Sequence, residues 1–182
     1  MNHITKVLSI CLILLTAETV LSQEDPKNIF IHVPGNFQMW FPLQIKTYKD
    51  TIKTEIGDLI YNTFVHKDST LIYQLSYCEY PEGGMHSDST DLIEEFFQAA
   101  IDESVLQVKG QKQYQSVIGQ FGYPGYLWKT TFGDNKFIRT KAFMAGKKYY
   151  SMQVIGLKKW DDDKKAFHFF DSFKFLDLSK VK

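Results

Sequence analysis

Arginine is almost absent from this sequence: Arg139 is the only one among 21 basic residues. The planar, five-donor arginine fork is the usual grip on phosphates and nucleic acids, and lysine offers only a point charge. The 21 basic residues are matched by 21 acidic ones. The chain therefore has no net field to draw it onto DNA, RNA or an anionic membrane. Cysteine is scarce too. Cys11 lies in the N-terminal leader, which leaves Cys78 as the one thiol of the domain. An internal disulfide is thereby excluded. No Cys-x-x-Cys, His-Glu-x-x-His or Gly-x-Ser-x-Gly occurs, and His32, His66, His86 and His168 have no neighbour at ligand spacing. Nothing in this pattern calls for a metal, a cofactor or a serine nucleophile.

A long hydrophobic run is also missing. Val7 to Leu15 is apolar but short for a membrane span. Lys6 precedes it, and Val20 and Ser22 stand at the −3 and −1 positions of a cleavage site. This predicts a signal peptide over 1–22, cut after Ser22, and a secreted or periplasmic protein with no membrane span after cleavage. Cys11 is preceded by Ile10 inside the apolar run, which does not fit a lipidation site. Residues 23–28 read as a flexible leader. Residues 29–182 suit a single domain, able to bury roughly two-thirds of its unfolded surface without a staple.

What is abundant is aromatic and β-branched sequence. Ile29 to Val33 predicts a strand stopped by Pro34-Gly35. Phe37 to Tyr48 fits no clean period and predicts an irregular, partly packed segment. Thr51 to Ile56, Leu59 to Val65 and Leu71 to Glu79 predict a meander, with turns at Gly57-Asp58 and Lys67 to Thr70. In its third strand Leu71, Tyr73, Leu75 and Tyr77 share one face, and Ile72 and Cys78 the other; that alternation predicts a buried thiol. Leu92, Ile93, Phe96, Phe97 and Ala100 recur at helical spacing behind the possible caps of Ser87 to Asp91. Strands are predicted again at Gln113 to Gln120, Tyr126 to Phe132, Phe137 to Ala145 and Tyr149 to Ile155. A three-residue loop in the last hairpin keeps one face apolar and is preferred over a two-residue loop. Asp161 to Asp163 then cap a second helix, along which Ala166, Phe169, Phe170 and Phe173 form a stripe.

The aromatic stretch Phe121 to Trp128 looks like a ligand loop. It lies between strands, however, and its proline removes an N–H, so it cannot be a phosphate cradle opening a helix. Pro124-Gly125 has the chemistry of a type II turn, which makes the stretch a structural corner.

The GYPG corner is followed by KFIRTKAFMAGKKYYSMQVIG and AFHFFDSFKF. With LIYQLSYCEYP and Val108-Lys-Gly110 upstream, the order resembles secreted PsbP/Mog-like domains over most of 29–176. Arg139, Gly146, Tyr149, Tyr150 and Phe169 to Phe173 occupy the matching places. The resemblance implies an α+β fold: an antiparallel sheet of about six to eight strands packed with two main helices, an α/β/α sandwich. It implies no single activity and no particular binding residue.

Two function classes follow. The first is a non-enzymatic accessory or binding protein for a protein partner, with Trp40, Phe41 and Tyr48 either forming an exposed aromatic patch or plugging one side of the sheet. The second is a carrier of a small apolar ligand, or a hydrolase, with a cavity between sheet and helix. The Glu82 to Asp88 loop is the best local cluster of polar groups, and it reads more simply as a strand-to-helix connection.

Overall fold

The computed structural model describes residues 28–42, 44–54 and 57–177. The expected signal peptide (1–22) and most of the leader lie outside them. Two antiparallel sheets carry the fold. The small one joins β1 (Ile29–His32), β2 (Phe37–Trp40) and β10 (Lys174–Phe175) in the order β1-β2-β10. The large one holds β3 (Lys46–Thr54), β4 (Gly57–Lys67), β5 (Leu71–Glu79), β6 (Gln111–Gln120), β7 (Tyr123–Phe132), β8 (Lys136–Ala145) and β9 (Lys148–Leu157). Its order is β3-β4-β5-β9-β8-β7-β6. Two helices, α1 (Thr90–Gln107) and α2 (Lys164–Asp171), pack on it. The expected α+β class and strand number hold.

Each face of the large sheet has its own core. On one, the small sheet and α2 press rings against Phe64, Tyr73, Tyr77, Phe143 and Tyr150. Phe173 leaves the end of α2 to stack on Phe37, with centroids 5.6 Å apart. Such pairs add about 0.5–1.5 kcal/mol to the burial of each ring. On the other face α1 lays Ile93, Phe96, Phe97 and Ile101 over Leu59, Tyr61, Cys78, Trp128 and Tyr149. Cys78 is fully buried, as its alternation with Ile72 implies.

The helix differs from expectation at its ends. Leu92 is half exposed, because the buried stripe runs through Ile101 instead. Ser89 sits at the N-cap but makes no side-chain cap bond. At the C-terminus Gly110 N–H donates to Val105 O and Lys109 N–H to Leu106 O, the two bonds of a Schellman motif. In α2 the cap is Asp163, whose carboxylate accepts from Lys165 N–H at 2.7 Å.

Four local expectations are corrected. Phe37 to Trp40 is a regular strand, paired with both β1 and β10. Gly57 and Asp58 belong to β4, opposite Thr54 and Lys53. Pro124 and Gly125 are not a turn: they lie in β7, and the chain reverses at Phe121-Gly122, both with positive φ (54° and 81°). That is the signature of a type I′ hairpin. Gly125 is needed for another reason, since a Cβ there would stand 2.4 Å from Ala142 O on β8. The last hairpin has a two-residue loop, Ala145 pairing with Lys148 around Gly146 at φ 59°. Arg139 and Lys141 consequently share a face with Met152 and Val154. The preference for one purely apolar face failed because both faces of this sheet are covered.

Candidate functional site

Trp40, Phe41 and Tyr48 do not assemble into one exposed patch. Phe41 is 2% exposed, edge-on to Phe169 at 5.0 Å. Trp40 is half-buried on the same side, 5.0 Å from the His168 ring. Tyr48 lies on β3 opposite Thr63, and so on the α1 face. Its hydroxyl is buried with no hydrogen-bond partner among the described residues. The aromatic plug is thus the reading that fits Phe41, and the trio is divided by the sheet.

Arg139, the single arginine, is engaged internally through one nitrogen of its guanidinium. Its Nη2 donates to Asp161 Oδ1 at 2.8 Å, and Lys129 pairs with the other oxygen. The guanidinium also lies 4.8 Å from the Phe167 ring centroid. This cluster ties the turn before α2 to β7 and β8. Asp161 is therefore an ion-pair partner, and the cap belongs to Asp163 alone.

Beneath α1, Tyr61, Tyr80, Tyr149 and Cys78 converge. Burial, reinforced by the neighbouring thiol and phenols, pushes Tyr61 well above the ordinary phenol range, and burial pushes Tyr80 up as well. These phenols stay protonated at neutral pH, which suits a packed network and not a nucleophile. The Glu82 to Asp88 loop holds two separate pairs, Glu82 with Lys147 and His86 with Asp88. No group of three His, Cys, Asp or Glu side chains is placed to hold a metal among the described residues.

Sequence reasoning missed a band of uncharged polar groups on the α1 face. Thr63, Ser76 and Ser151 are side by side across β4, β5 and β9, and Gln74, Gln153 and Thr140 form the next row across β5, β9 and β8. Thr63 and Ser76 hydroxyls bond at 2.9 Å. Gln153 Nε2 donates to Thr140 Oγ1 at 3.4 Å. The only available signal was polarity at every second residue, which in a one-sided sheet means solvent.

The two outer strands of the large sheet differ sharply. β3 exposes Lys46, Lys49 and Lys53 along its length, the usual guard against unwanted pairing. β6 reads Gln-Lys-Gln-Tyr-Gln-Ser-Val-Ile-Gly-Gln and is exposed over most of its ten residues. Beyond Lys112 it carries no charge. Tyr114 is 38% exposed and Val117 73%. Its pairing with β7 shifts register between Lys112 and Tyr114, a bulge that leaves Tyr114 to Gln120 regular. At the start of this strand is a cleft of about 440 Å³, whose lining includes Gln111, Gln113, Lys109, Lys136 and Lys158.

No family model and no curated protein matches the sequence. Among solved structures, the solution structure of cyanobacterial PsbP (CyanoP) from Synechocystis sp. PCC 6803 superposes with a TM-score of 0.52. The match covers 81% of this chain and 91% of that one at 13% identity. The fold is PsbP-like. At that identity the likeness concerns architecture alone. The PsbP-like sheet explains why the GYPG stretch, the Arg139 strand and the Gly146 hairpin follow one another, since they are β7, β8 and β9 of one antiparallel run. Among the described residues no helix is long and apolar enough to cross a membrane.

Proposed function

We propose that this is a secreted or periplasmic, non-enzymatic binding protein that takes a protein partner along the open side of β6. The observation that carries the reading is the unguarded length of that strand. Its outer backbone N–H and C=O groups face no neighbouring strand among the described residues. An extended segment of a partner can satisfy them by adding a strand, with Tyr114 and Val117 supplying side-chain contact. The lysines of β3 make the opposite edge a poor alternative. The signal-peptide pattern of 1–22 supports the location. A carrier or hydrolase has less support, because α1 sets Phe96, Phe97 and Ile101 directly on the sheet.

The test is capture of partners from the native envelope or medium by the purified mature protein and two edge variants. Val117→Lys places a charge on the open strand and should abolish capture without changing the melting temperature. Thr51→Lys, on β3, should capture as well as the parent. Equal capture by Val117→Lys would refute the reading.

A further inference from the structure

The lysine cleft gives the partner of that strand a chemistry. We infer that the cleft receives acidic side chains at the C-terminal end of an extended partner segment paired antiparallel to β6; the inference rests on the strand-addition reading above.

Three features converge on it. The first is charge. Lys109, Lys136 and Lys158 line the cleft with Gln111, Gln113, Thr131 and Asn135, and no carboxylate is among the lining residues. Asp134 lies on the same turn as Gly133 and Asn135 but does not line it. None of the three lysines forms an ion pair with another described residue, whereas Lys112, Lys129, Lys147 and Lys148 each do. A group of unpaired cations in a concave, neutral wall attracts an anion more strongly than the same lysines scattered over a surface.

The second feature is the backbone at Lys109. It occupies the left-handed position of the Schellman motif, with φ 48°. Glycine is the usual residue there and avoids the steric cost of a Cβ. The chain has a glycine one residue later, but Gly110 is required where it stands: a Cβ on it would meet Thr130 Cγ2 at 2.6 Å and Thr131 O at 2.7 Å. A lysine is thus held in a conformation that disfavours it, where it lines the cleft. Strain of this kind is retained at functional positions.

The third feature is direction. Every pairing within the large sheet is antiparallel. A strand added to β6 in the same sense runs from Gln120 towards Gln111, so its C-terminal end reaches the cleft. The bulge between Lys112 and Tyr114 interrupts the regular register just where the lysines begin, with pairing to β7 resuming at Lys112 and Gln111.

The probe is a synthetic peptide that alternates Thr and Val and ends in three glutamates, titrated onto the mature protein by calorimetry. A second peptide ends in three lysines, and inorganic phosphate serves as a small-anion control. The acidic peptide should bind, and the basic one should be weaker by at least about tenfold. Lys109→Gly with Lys136→Ser and Lys158→Ser should lower affinity for the acidic peptide about tenfold. Raised salt should have the same effect on the parent. Lys109→Gly alone should raise the melting temperature while weakening the peptide, which a purely structural lysine would not do. Val117→Lys should remove binding of both peptides.

Equal binding of the two peptides, or an unaffected triple variant, overturns the inference; the strand-addition reading then stands if Val117→Lys still abolishes binding. Phosphate that competes fully and binds Val117→Lys as well as the parent overturns it in favour of a small-anion site. Absence of binding by both peptides at millimolar concentration overturns it too, and the capture experiment then decides the strand-addition reading separately.

Discussion

The two faces of the large sheet are covered by unlike means. On one side the small sheet and α2 bring rings, with Phe37 alone meeting Phe30, Phe64, Tyr77, Tyr150 and Phe173. On the other side one helix supplies the apolar cover, and the uncharged band from Thr63 to Thr140 continues beside it. The ring face gains its stability from volume filled, so it is sensitive to any deletion. The band gains less per group, because its hydrogen bonds replace bonds to water. It is sensitive to which partner is missing and much less to the loss of both.

The largest difference should appear on truncation. Phe173→Ala empties a site that is 1% exposed and ringed by Phe37, Phe143 and Tyr150. It should cost about 4 kcal/mol in urea denaturation. Ser76→Ala on the opposite face strips Thr63 of a partner 2.9 Å away and should cost about 1 kcal/mol. Adding Thr63→Val should restore part of that loss, since the Thr63 hydroxyl is then no longer left unpaired, while Gln74 Nε2, which donates to Ser76 Oγ at 3.4 Å in the parent, still lacks that acceptor. A double variant as unstable as the sum of the two singles would mean that the band is not a paired network, and the contrast between the faces would fail.

Much of the fold was legible because local patterns sufficed. The strand Leu71 to Glu79 and its two faces, and the helix over Phe96 and Phe97, depend on periodicity within a few residues. The misplaced features depend on neighbours distant in sequence. Gly125 looked like a turn residue because a close approach by β8 leaves no trace in β7. The register of β8 against β9 was misjudged because Arg139 and Lys141, polar by type, lie on the ring face. Arg139 meets its counter-ion, Asp161, only because the fold brings the turn before α2 onto β8. The open edge was hidden for the same reason. Gln113 to Gln120 read as an ordinary strand until the sheet order placed it outermost, and the three cleft lysines come from three separate stretches, after α1, at the start of β8 and after β9.

The smallest effect should be a pH dependence confined to the ring face. His32 packs among Phe37, Phe64 and Tyr77, at centroid distances of 4.7 to 5.4 Å. Its Nδ1 accepts a hydrogen bond from Gly35 N–H at 2.9 Å. Burial, and then the charge of Lys148, lower its pKa below 6.5. The unfolded chain therefore takes up this proton at a higher pH than the folded one. Above about pH 6.5 both forms are neutral and the group adds no pH dependence. Below it the unfolded chain is favoured, and stability falls as pH drops towards the folded pKa, by less than about 1.4 kcal/mol per pH unit. Protonation would also put a hydrogen on the nitrogen that now accepts from Gly35. His32→Asn keeps an acceptor on a short side chain but cannot titrate. Urea denaturation at a series of pH values between 5 and 7.5 should give a shallower acid-side slope for the variant than for the parent, and parallel slopes would show that His32 does not contribute.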